Sequence, residues 1–64
     1  MHYEIFYINA KTGWAVALYD ELHNQIGAAD FCYRKSEAKS WAKRICDGNP
    51  IWVFTKAGTK TIIN

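Results

Sequence analysis

Hydrophobic and polar positions change their period along the chain, and the changes predict three strands before a helix. Residues 2–8 are aromatic and β-branched without helical spacing, which is typical of a strand with both faces partly covered. In residues 14–19, large side chains alternate with alanines, and this alternation predicts a strand with one buried face. A third strand is predicted over residues 25–33, where Gly27 indicates a bulge or a close backbone approach.

A helical stripe follows the third strand. Ser36 suits the N-cap and Glu37 the first turn, although Lys39 stands where a full capping box has Glu or Gln. Gly48 marks the C-terminal end. The spacing predicts a helix over about residues 37–46. Its apolar stripe consists of Ala38, Trp41, Ala42, Ile45 and Cys46.

Residues 51–63 predict a C-terminal hairpin with its turn at Gly58. The elements therefore run β-β-β-α-β-β. This order predicts a two-layer α+β fold, an antiparallel sheet with one helix packed on one face, as a single domain over residues 1–64. We expect one small core that contains all three tryptophans, namely Trp14, Trp41 and Trp52.

Length and composition exclude several classes of protein. The chain has 64 residues, 50% of them hydrophobic and 16% aromatic, which is too short for a second core and too apolar for a disordered chain. No apolar run approaches the roughly 18 residues of a membrane span. The N-terminus, Met-His-Tyr-Glu-Ile, lacks the basic and apolar regions of a secretory signal, so we expect a cytoplasmic protein.

Charge is divided unevenly along the chain. Residues 1–33 have one cation and four acids, a sum of −3, whereas residues 34–64 have seven cations and two acids, a sum of +5. Such asymmetry suggests an anionic partner. The cations near the helix could contact nucleic-acid phosphates or an acidic protein, or simply face solvent. They are Arg34, Lys35, Lys39, Lys43 and Arg44.

Side chains with metal-binding or catalytic chemistry are few and scattered. His2, His23, Cys32 and Cys46 show neither Cys-x-x-Cys nor His-x-x-x-His spacing, so we expect no metal site and no cofactor. Cys32 with His23 is the nucleophile–base pair to consider, but no Gly-rich loop accompanies it, and we expect no catalytic residues. Because the helix separates the two cysteines by roughly 15 Å, they are predicted to remain thiols.

Ten aromatic residues exceed what a 64-residue core needs, and four of them are tyrosines on the predicted strands. An exposed aromatic sheet face suits a partner protein or a homodimer, and edge strands offer a further way to pair with a second chain. These candidate partner-binding residues are Tyr3, Tyr7, Tyr19 and Tyr33.

Gly13-Trp14-Ala15-Val16 opens a strand, Arg34-Lys35-Ser36-Glu37-Ala38 opens the helix, and Ile51-Trp52-Val53-Phe54 precedes a Gly-containing turn. Together these motifs resemble a small bacterial family known as a domain of unknown function, with a Gly-Trp-x-Val strand and a Thr-Lys-x-Glu-Ala helix start. Arg34 replaces that Thr, and Ala57 replaces an Asp before the turn glycine. The resemblance covers roughly residues 13–63 and implies the topology without a function.

More loosely, residues 3–46 resemble the arm-type DNA-binding domain of phage and transposon integrases, in which three antiparallel strands precede a helix. That resemblance implies a sheet that reads DNA, although few cations lie on the strands here. We favour a small non-enzymatic binding module that occupies the surface of a partner protein, by association an inhibitor encoded by a phage or mobile element. The alternative is a double-stranded DNA-binding domain that uses the basic helix face.

Overall fold

A computed structural model describes residues 1–63 of the chain. These residues form five strands and one helix in the predicted order, which confirms the α+β fold class. The elements are β1 His2–Asn9, β2 Gly13–Tyr19, β3 Gln25–Cys32, α1 Lys35–Ile45, β4 Ile51–Phe54 and β5 Lys60–Ile63. In the part of the chain that the structure describes, no helix has the length and apolar character needed to cross a membrane.

The five strands form one sheet in the order β3-β2-β1-β4-β5. β1 and β4 pair in parallel, and the other neighbouring pairs are antiparallel. The sheet is therefore mixed rather than wholly antiparallel. The helix explains the difference, because it carries the chain from the end of β3 back to the end of the sheet where β1 begins. β4 must then run in the same direction as β1.

The core lies between the helix and one face of the sheet. Ala38 and Ala42 are fully buried on the helix, and their small side chains allow it to lie close to the central strands. The buried residues of this cluster are Ile5, Trp14, Val16, Ala38, Ala42, Cys46, Ile51 and Val53. Burial of this apolar surface is the main force that holds the helix on the sheet.

The prediction of one core with three tryptophans is wrong, because only Trp14 is buried there. Trp41 is 36% exposed beside the edge strand β3, where its Nε1 donates a hydrogen bond to Asp30 Oδ2 at 3.0 Å. Ala38 and Ala42, rather than Trp41, are the helix residues that face the sheet. Trp52 pairs with Glu4 and so lies on the opposite face of the sheet.

The helix begins two residues earlier than predicted. Arg34, rather than Ser36, is the N-cap, so Glu37 takes the N3 position. From there the Glu37 carboxylate accepts a hydrogen bond from the Arg34 N–H at 3.1 Å, which is the acidic half of a capping box. A negative charge in the first turn also stabilises the positive end of the helix dipole.

Two glycines have distinct backbone roles. Gly27 has φ +73° beside a shift in the β2–β3 register, with no atom near the position of a Cβ, so it forms a bulge rather than a close approach. Gly13 has φ +90°, and a Cβ there would lie 2.5 Å from the Cys32 carbonyl oxygen. Only glycine therefore fits at position 13, where the start of β2 lies directly beside the end of β3.

Candidate functional site on the helix-free sheet face

The side of the sheet away from the helix is the candidate site, named here the open face. Cross-strand partners share a face, so the strand register identifies its members. Ala15 and Ala17 form its buried floor, whereas Phe31 and Ile62, on the two edge strands, are 60% and 56% exposed. The open face comprises His2, Glu4, Phe6, Ala15, Ala17, Tyr19, Gln25, Phe31, Trp52, Phe54, Lys60 and Ile62.

Glu4 lies at the centre of the open face and is paired with two histidines. Its Oε2 atom lies 2.7 Å from Nε2 of His2 and 2.6 Å from Nε2 of His23. A carboxylate can only accept, so both imidazoles donate to the same oxygen. The Glu4 side chain is 9% exposed, and a carboxylate with so little contact to water requires such partners. His2, Glu4 and His23 are called the His–Glu–His cluster below.

The turn between β2 and β3 positions His23. Asp20 Oδ1 accepts hydrogen bonds from the backbone N–H groups of Leu22 and Asn24, both at 2.9 Å. The bond from Asn24, followed by that from Leu22, lowers the pKa of Asp20. The His23 N–H donates to the Asp20 carbonyl at 3.0 Å, and His23 has φ +63°, a left-handed conformation that is uncommon outside glycine. This turn directs the His23 imidazole back over the sheet.

Aromatic rings hold the two imidazoles in place. Trp52 stacks on His2 with 3.6 Å between ring centroids, and Tyr19 stacks on His23 at 4.7 Å, both within 20° of parallel. Burial, and secondarily the negative charge of Glu4, raises the pKa of Tyr19, so its hydroxyl stays protonated. The Lys60 ammonium lies 4.1 Å from the Trp52 ring centroid. The imidazoles of the cluster therefore pack against the rings of Trp52 and Tyr19 rather than against flexible side chains.

An open concavity of about 500 Å³ borders the His–Glu–His cluster. Its lining residues are His2, Asp20, Glu21, His23 and Trp52. Within residues 1–63, the three side chains of the cluster are the group whose ligand atoms converge closely enough to hold a metal ion, all lying within 4.8 Å of one another. No short metal-ligand spacing in the sequence predicts this group, because His2 and Glu4 come from β1 and His23 from the turn after β2.

The four tyrosines predicted to form one surface lie in different places. Tyr3 and Tyr7 pack against the core on the helix side, and the Tyr3 hydroxyl donates to the Ile45 carbonyl at 3.3 Å. Strand alternation explains this, because Ile5 between them must face the helix. Tyr33 is exposed beyond the end of β3, and only Tyr19 belongs to the open face. Phe6, Phe31, Trp52 and Phe54 supply the aromatic surface instead.

The five predicted cations do not form one free patch. Lys35 lies over the Trp14 ring and Arg44 over the Trp41 ring, at 5.2 and 5.9 Å from the centroids. Arg34 is the N-cap, where its backbone N–H, rather than its guanidinium, donates to the Glu37 carboxylate. Lys39 and Lys43 line a shallow concavity of about 260 Å³ on the outer helix face, with Ser36 and Ser40. That face is the part of the basic patch still suited to an external anion.

The possible Cys32–His23 catalytic pair is not assembled. Cys32 pairs with Trp14 at one end of β2 and packs towards the core, while His23 lies at the other end on the open face. Trp14 and Tyr19, near the two ends of β2, are roughly 16 Å apart at about 3.3 Å per residue. Burial, then the negative charges of Glu37 and Asp30, raises the pKa of the Cys32 thiol, which disfavours the nucleophilic thiolate.

Comparisons with protein-family models, with curated proteins and with solved structures find no match to this chain. The two resemblances described for the sequence therefore stay predictions, and the functional inference depends on the open face and its chemistry.

Proposed function

We propose that the protein is a small non-enzymatic binding module whose open face covers an apolar patch on a partner protein. Five aromatic side chains and Ile62 on the open face support this proposal. Among the described strand residues of that face, Lys60 and the histidine-paired Glu4 are the charged ones. Enrichment in aromatic residues and depletion in charge are typical of the buried centre of a protein interface.

The position of the cations favours a protein over a nucleic acid on this face. Bases can stack on exposed aromatic rings, but binding then also needs cations that follow the phosphate backbone. Lys39 and Lys43 lie on the outer face of the helix, on the other side of the molecule from Phe31 and Trp52. Double-stranded DNA on that helix face is the second candidate, and the experiment below includes it.

The ends of the open face indicate the chemistry of the partner. Lys60 begins β5 at one end of the open face, while Asp20 and Glu21 lie in the turn at the other end. A partner with an apolar patch and a carboxylate facing Lys60 would complement this arrangement.

Binding by matched variants tests the proposal. A partner is first captured with the tagged chain, identified and purified, and its affinity is then measured by calorimetry. The double variant Phe31→Ser with Ile62→Ser should weaken binding by about 30-fold or more, the effect of one interface hot spot. Leu22→Ser is the control, because Leu22 is 83% exposed in a turn outside the strands of the open face.

Other occupants give different results. Equal affinity for the double variant and for wild type overturns the proposal. A concentration-dependent dimer in light scattering, lost in the same double variant, would assign the face to a second copy. Capture that disappears with nuclease or with Lys39→Glu and Lys43→Glu, and that falls steeply with salt, would instead establish DNA binding by the helix.

A further inference from the structure

We propose that the His–Glu–His cluster is a binding site for a divalent transition-metal ion of the zinc type. Two imidazole nitrogens and one carboxylate oxygen converge within 4.8 Å. Two histidines with one glutamate form a donor set that holds zinc while leaving a coordination position open. The site does not depend on the binding of a partner protein, and it concerns other residues than Phe31 and Ile62.

The distances allow a metal ion to enter with small movements. Zinc binds His nitrogen at about 2.0–2.1 Å and carboxylate oxygen at about 2.0–2.2 Å, so tetrahedral donors lie roughly 3.3 Å apart. Each Nε2 is now 2.6–2.7 Å from Glu4 Oε2 and must retreat by about 0.7 Å. The His23 side chain is 62% exposed and can make that movement, while Glu4 and His2 are held at 9% and 12% exposure.

The surroundings favour a ligand over a purely structural hydrogen-bond network. The concavity of about 500 Å³ beside His2 and His23 gives an ion access from solvent and leaves room for a water or an external ligand. The rings of Trp52 and Tyr19 restrict the imidazoles before an ion arrives, which reduces the entropic cost of assembling the site. His23 adopts its uncommon left-handed backbone conformation in the turn that delivers its imidazole.

Metal binding needs a lone pair on each imidazole nitrogen that faces the ion. A neutral imidazole carries one proton, so an ion bound at Nε2 requires that proton to lie on Nδ1. The bonds from Nε2 to the metal then replace the Nε2 hydrogen bonds to Glu4, and no proton leaves the imidazoles.

Calorimetry with Zn²⁺ on the untagged, metal-free chain tests the site. We expect one ion per chain and a rise in thermal midpoint of about 10 °C or more at a hundredfold excess over Kd. His23→Asn should weaken binding by about 100-fold or more, because loss of a supporting residue alone already costs 10–100-fold. Asn also tolerates the left-handed conformation, so the turn should keep its shape.

Two further variants make the result decisive. Glu21 lines the same concavity but lies outside the cluster. The affinity of the Glu21→Gln variant for Zn²⁺ should therefore stay within about threefold of wild type. Cys32→Ser should likewise bind unchanged, which separates the site from binding to the thiol. Absence of a saturable one-to-one site in wild type, or equal affinity in a folded His23→Asn chain, overturns the proposal. Neither result bears on the Phe31 and Ile62 variants.

Discussion

Glu4 shows how one residue depends on its neighbours. Strand alternation places His2 and Glu4 on one face, and this spacing is visible in the sequence. His23 follows Glu4 by 19 positions in the sequence. Its imidazole reaches Glu4 Oε2 because His23 itself has a left-handed backbone conformation in the turn after β2. Sequence patterns carry no signal for that conformation at a histidine, so only two members of the cluster could have been predicted to be neighbours.

Asp20 provides a test of the turn at the scale of one residue. Because hydrogen bonds lower its pKa in the folded protein, its charge stabilises the fold at pH values above the ordinary pKa of 3.8. That stabilisation is lost as the pH falls through the lowered pKa of the folded state. We therefore expect Asp20→Ala to unfold at lower urea concentration than wild type at pH 7, with a smaller difference at pH 2.

Urea titrations at both pH values measure this effect. Glu21→Ala, in the same turn but without these backbone hydrogen bonds, is the control and should change the midpoint little. A midpoint difference for Asp20→Ala that persists unchanged in acid would contradict the role assigned to its carboxylate.

At the scale of elements, the sequence predicts those with one clear period. The alternation of β2 and the apolar stripe of α1 each define a buried face, and both faces are buried as predicted at Val16, Ala38 and Ala42. β4 is different, because Ile51, Trp52, Val53 and Phe54 are all apolar and the pattern does not reveal which pair faces the helix. The parallel pairing of β4 likewise follows from the path of the helix, which local patterns do not encode.

Ala42 tests the close packing of the helix. It is fully buried against the sheet, so Ala42→Leu should force the helix outwards and lower the free energy of unfolding by about 1–3 kcal/mol. Ser40→Leu introduces the same side chain at an exposed position of the same helix and should change that free energy by less than about 0.5 kcal/mol. Urea unfolding compares the two variants. Equal stability would contradict the assignment of Ala42 to a closely packed contact.

At the scale of the whole molecule, the fold redistributes the charge seen in the sequence. The first half of the chain is acidic in sum, yet Lys11 joins Lys56 at one end of the sheet, opposite Asp20 and Glu21. Antiparallel strands bring turns from distant parts of the chain to the same end, so a division along the sequence does not become a division in space. The two layers in turn separate the aromatic face from the outer helix cations.

Cross-saturation NMR can show whether the partner touches the open face or the outer face of the helix. Isotope-labelled protein is mixed with its purified partner, and saturation of the partner attenuates the signals of side chains that touch it. We expect attenuation at Phe31, Trp52 and Ile62, with no effect at Tyr3 or Ala38 on the helix-covered side. Attenuation confined to the outer helix residues around Lys39, with the open face unaffected, would contradict partner binding by the open face.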